Sequence, residues 1–116
     1  MKPRRLRPIV VFLIGMLVTA CSSVTESDRQ NIIRDFVASA IEGSTKYRSI
    51  VSEFDWESLM ASRKWLSSEY KANLTEEYFG GQYEYLVSFD TKATGILTLC
   101  YNKDMIRKIS VAIHRP

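Results

Sequence analysis

The chain has 116 residues, 16 Lys and Arg against 13 Asp and Glu, and a formal net charge of +3. Four of the cations (Lys2, Arg4, Arg5, Arg7) fall in the first seven residues, and the rest of the chain carries 12 basic against 13 acidic side chains. A basic nucleic-acid platform is thereby excluded as the reading, and the length leaves room for one sizeable core only.

The four cations precede Pro8 and a 12-residue uncharged run, Ile9 to Ala20 (IVVFLIGMLVTA). As a helix such a run would reach about 18 Å, short of the roughly 30 Å hydrocarbon core. A basic segment followed by a short apolar one has the build of a signal peptide, and the cations hold its start on the cytoplasmic side. The run ends in Val18-Thr19-Ala20-Cys21. This tetrad resembles the lipobox of bacterial lipoproteins, in which an aliphatic residue and two small ones precede a cysteine. The resemblance implies cleavage before Cys21, a diacylglycerol on its thiol and acylation of the new amino group. Two or three acyl chains anchor a protein far more firmly than one. Ser22, rather than Asp, follows the cysteine, which in that family favours the outer membrane and a periplasm-facing domain. Residues 1–20 are thus expected to be a signal peptide, 21–27 a lipidated tether and 28–116 a single domain.

With Cys21 acylated, Cys100 has no disulfide partner. It lies in the strand-like stretch Ile96-Leu97-Thr98-Leu99-Cys100-Tyr101 and reads as a buried structural thiol.

Ser27-Asp28-Arg29-Gln30 fits a capping box, and Ile32, Ile33, Phe36, Val37, Ala40 and Ile41 recur on one stripe before Gly43. An amphipathic helix over 28–42 is expected. Tyr47, Ile50, Val51 and Phe54 repeat that spacing over 46–54, and Asp55 can cap a further helix carrying Leu59, Met60, Leu66 and Tyr70. Residues 46–72 read either as one bent helix or as two short ones. Leu74 to Phe79 fits one more helical turn capped by Thr75, closed by Gly80-Gly81.

The period then changes. Tyr83, Tyr85, Val87 and Phe89 alternate with polar residues over 82–90, 96–101 is apolar on both faces, and 105–115 alternates again with Met105, Ile109, Val111 and Ile113 on one side. Asp90 to Gly95 and Asn102-Lys103-Asp104 supply turns. The expected fold is α+β, with N-terminal helices packed on a three-stranded antiparallel meander. The order of elements, with Phe54-Asp55-Trp56-Glu57-Ser58-Leu59 and Trp65-Leu66-Ser67-Ser68-Glu69-Tyr70-Lys71, is similar to nuclear-transport-factor-2-like and cystatin-like domains. That likeness implies an accessory or ligand-binding role.

Catalytic residue types are sparse. His114 is the sole histidine, which leaves no Ser-His-Asp, Cys-His or zinc pattern. No glycine-rich phosphate loop is present. Carboxylate pairs (Asp55 with Glu57, Glu76 with Glu77, Glu84 with Asp90) would need to face each other about 5–10 Å apart across a cleft to act on a glycoside. No enzyme activity, metal or cofactor is expected. The dense aromatic strand face of Tyr83, Tyr85 and Phe89 reads as core packing or, alternatively, as an interface patch. The expectation is a small membrane-anchored envelope lipoprotein held by lipid on Cys21, acting as a binding, accessory or structural component with an envelope protein partner and no nucleic acid. The alternative is a periplasmic ligand-binding or inhibitor module with a pocket.

Overall fold

A computed structural model describes residues 24–116. Helix α1 spans Glu26–Glu42 and helix α2 spans Glu53–Ala61; strands β1 (Tyr70–Tyr78), β2 (Gln82–Phe89), β3 (Thr94–Asn102) and β4 (Met105–His114) follow. Short 3₁₀ turns at Arg48–Ile50 and Arg63–Trp65 flank α2.

α1 begins two residues earlier than the capping pattern at Ser27 predicts. Thr25 is the N-cap: its hydroxyl accepts from the Asp28 N–H and the Asp28 carboxylate accepts from the Thr25 N–H, a complete capping box. Gly43 closes the helix in the left-handed region, at φ 75°. Ile33, Phe36, Val37 and Ala40 are its buried stripe. Residues 46–54 do not form one helix: a 3₁₀ turn occupies Arg48–Ile50, and Glu53 and Phe54 already belong to α2. The next helix starts sooner than Asp55 implies, because Ser52 accepts the Asp55 N–H and caps it.

The strand count departs from expectation. Two helices pack against one face of a four-stranded antiparallel sheet of order β1-β2-β3-β4, not against a three-stranded meander. The additional strand is β1, built from residues 70–78, whose last part reads as a helical turn. Its pairing runs from Tyr70↔Phe89 to Tyr78↔Gln82, with a bulge at Thr75. An edge strand that buries little, interrupted by one extra residue, loses the alternation that marks a strand. Gly80 and Gly81, at φ 91° and 85°, form the β1–β2 hairpin loop instead of a helix–strand junction. A Cβ on Gly81 would stand 2.8 Å from the Tyr101 carbonyl oxygen, so the β-carbon is excluded by contact as well as by backbone angle.

The inward sheet face carries Tyr85, Val87 and Phe89 from β2, Leu97, Leu99 and Tyr101 from β3, and Ile109 and Val111 from β4, all buried with Trp56 and Leu59 of α2. Each helix also holds one margin of the sheet. Gln30 Nε2 of α1 donates to the Ala72 carbonyl of β1 at 2.9 Å. The Val111 N–H of β4 donates to Asp55 Oδ2 of α2 at 3.1 Å. The β1–β2 and β3–β4 hairpins turn at the same end of the sheet, and the β2–β3 turn, with Lys92 at φ 75°, lies at the other. Strict alternation puts Met105 on the Ile109 side of β4, but a bulge opposite Cys100 and Tyr101 shifts the register, and Met105 is 72% exposed.

Candidate functional site

Cys21, the lipidation candidate, lies outside the described residues. Of the candidate interface residues Tyr83, Tyr85 and Phe89, only Tyr83 reaches the surface. Tyr85 is fully buried, Phe89 is 6% exposed, and Tyr83 is half-buried with its ring edge-on to Tyr101. The alternation that makes them aromatic neighbours on one strand face is the alternation that turns that face under the helices.

What Tyr83 and Tyr85 do instead is hold Arg29. Arg29 is 7% exposed, and each of its three guanidinium nitrogens donates a hydrogen bond. Nε donates to the Tyr85 hydroxyl at 2.9 Å, Nη1 donates to the Val24 carbonyl at 3.0 Å, and Nη2 donates to Glu26 Oε1 at 3.1 Å. The Tyr85 hydroxyl donates to the same Glu26 oxygen at 2.7 Å, closing a ring of three. The guanidinium carbon also lies 4.0 Å from the Tyr83 ring centroid. A buried cation is tolerable only when paired and hydrogen-bonded, and each of these contacts contributes to that.

The proton equilibria of the group follow from the geometry. Burial pushes the Tyr85 phenol up, the Arg29 contact opposes it and the Glu26 carboxylate adds to it, leaving it at about 12. Burial also acts to raise Glu26, but hydrogen bonds from Gln30, Tyr85 and Arg29 outweigh it and hold the carboxyl below its ordinary value. Desolvation lowers Arg29, while Tyr85 and Glu26 more than restore it. The ring is therefore an ion pair bridged by a neutral phenol at any moderate pH.

Arg29 was not singled out by sequence, although a signal was there. It falls four residues before Ile33, on the upstream continuation of the apolar stripe, where a cation must bury or bend away. Its effect is to fix the first described residue, Val24, against the domain. Val24 lines an open groove of about 390 Å³ with Tyr78, Phe79, Gly81, Tyr83 and Lys103. It also lines a second groove, about 640 Å³, with Asp28, Asp35, Tyr47, Asp104, Met105 and Ile106. The chain thus joins the domain between the two hairpin tips.

The remaining candidates are dispersed. Asp55 is bound to the Val111 N–H, and Glu84 accepts from the Thr75 and Tyr78 hydroxyls on the outward sheet face. Glu84 lies in β2 and Asp90 in the turn that follows it, six residues further along the chain. His114 is exposed, and Cys100 is half-buried on the outward face opposite Lys108 rather than in the core. Among the described residues no group of three or more His, Cys, Asp or Glu is placed to hold a metal ion. Between the helices and the sheet, among Phe36, Leu59, Val87, Leu97 and Val111, the free space is only about 10 Å³, room for one water at most. The outward face is a polar field with two half-exposed aliphatics, Leu86 and Ile96, paired across β2 and β3. No family model, no curated protein and no solved structure matches this chain.

Proposed function

We propose that the protein is a small envelope lipoprotein, anchored through acyl chains on Cys21, whose α+β domain works by binding as an accessory or structural component at the membrane surface. The observation that supports this most is the fixing of Val24. Only Ser22 and Ser23 separate Cys21 from Val24, a reach of about 11 Å at most, and Arg29 ties the Val24 carbonyl to the buried Tyr85. A lipid on Cys21 would hold such a domain as a closely coupled body, so that modest affinity for a membrane-bound partner suffices through effective concentration. The packed interior, with about 10 Å³ free between helices and sheet, weighs against the alternative of an internal ligand pocket.

The test is metabolic labelling with radioactive palmitate of wild type and of Cys21→Ala, followed by membrane fractionation. Label and membrane association are expected in the wild type and lost in the variant. Equal label in both, or a mature product that retains Met1, would refute the reading.

A further inference from the structure

The end of the sheet that receives the chain exposes three large apolar side chains; Phe54, 78% exposed, lies on α2 and lines neither of the grooves there. Phe79, in the β1–β2 loop, is 106% exposed, Met105 at the start of β4 is 72% exposed, and Tyr78 is 44% exposed. Exposed apolar side chains scattered singly need no explanation, but these three project from two adjacent hairpin tips flanking one residue, Val24. Nothing in the turn chemistry calls for them, since Gly80-Gly81 and Lys103 supply the required backbone angles.

We infer that this end docks on a lipid surface, with Phe79 and Met105 entering the acyl–headgroup boundary and Tyr78 at headgroup level. The inference rests on the lipid anchor proposed above. With only Ser22 and Ser23 between Val24 and Cys21, and the tips bordering the same grooves as Val24, a lipid on Cys21 keeps the hairpin tips close to the bilayer. Apolar and aromatic side chains at that depth suit an interface, where ring and water meet. The charges at the tips, Glu77, Lys103 and Asp104, do not sum to a basic patch, so docking is driven by apolar burial and is insensitive to salt. The sheet then stands on the membrane by one end, and its β2–β3 turn points away.

The test uses the full lipidated protein in phosphatidylethanolamine–phosphatidylglycerol vesicles, half of the preparations containing acyl-brominated lipid. Native Trp56 is buried and Trp65 sits beside the remote β2–β3 turn, where Thr91 Oγ1 donates to its carbonyl, so wild-type emission should be unaffected by bromine. Phe79→Trp and, separately, Met105→Trp should shift to shorter wavelength on vesicle binding and be quenched by bromine, equally at low and high salt. Both positions are exposed, so neither substitution disturbs the core. Flotation with vesicles but water-like, unquenched emission at both positions overturns the docking and leaves the anchor standing. Failure of the wild-type protein to float overturns the anchor, and the docking with it.

Discussion

Replacing Tyr85 with Phe removes one oxygen from the centre of the domain and nothing else, since the ring is fully buried and its outline is kept. That oxygen accepts from Arg29 Nε at 2.9 Å and donates to Glu26 Oε1 at 2.7 Å. Hydrogen bonds to charged groups contribute about 1.5–3 kcal/mol each, and a buried donor left unpaired loses its full hydration. The Glu26 side chain is half exposed, so water replaces the Tyr85 hydroxyl there at little cost. Arg29 Nε is not so placed. The expected loss is therefore about 2–3 kcal/mol, dominated by the guanidinium. For a domain of this size that lowers Tm by about 10–20 °C. Urea titration followed by circular dichroism at neutral pH should show a lower midpoint with an unchanged slope. Arg29→Met should cost a similar amount, and the double variant should be at least about 1 kcal/mol better than the sum of the singles, because the two changes remove one shared network. A Tyr85→Phe loss under about 0.5 kcal/mol, or strict additivity, would refute the assignment of Arg29 as the group that the phenol serves.

Three further outcomes follow from the same structure. Gly81→Ala meets the Tyr101 carbonyl oxygen at 2.8 Å, whereas Gly80→Ala meets nothing within 4 Å; both carry the cost of positive φ, about 1 kcal/mol, but Gly81→Ala should be the worse by at least a further 1 kcal/mol in thermal melts. Asp55→Ala strips the acceptor from the Val111 N–H and should cost about 1–2 kcal/mol by urea titration, with Asp55→Asn recovering much of it. Glu26 and Asp35 are both held below their ordinary values, Asp35 by Lys46 first and then by Tyr47; their contribution is complete above the unfolded carboxylate range and should fade as pH falls through their folded values. At the other end, Tyr85 is raised to about 12, so its contribution is complete below the ordinary phenol value of about 10 and should fade from there to about 12. A stability profile flat across either window would contradict those contacts.

How much of this was readable beforehand depends on how each residue's signal arises. α1, β2 and β4 are legible because one face of each is buried, which imprints a period on the sequence, and β3 because its short run is apolar on both faces and bounded by turns. β1 leaves no such imprint. Beyond Ala72 its side chains are exposed on both faces, and the bulge at Thr75 breaks what alternation remains. The sequence Thr75-Glu76-Glu77 then imitates a helix start. Alternation puts Tyr83, Tyr85 and Phe89 on one face of β2, but periodicity cannot say which side of a sheet is covered. The helices decide that, and they make these residues core. Arg29 shows the converse limit. Its place on the apolar stripe can be counted, yet its partners lie 56 positions away at Tyr85 and five back at Val24, and only the closed fold brings them together.

The two bonds at the margins of the sheet have a consequence for self-association. In an antiparallel arrangement the outer rows of β1 and β4 carry amide groups with no strand to meet, which invites a further copy to add on and polymerise. Gln30 occupies the Ala72 carbonyl on one side and Asp55 the Val111 amide on the other. A newcomer pairing across either of these positions would have to displace a helix side chain from the backbone, so each helix blocks one rung at its margin of the sheet.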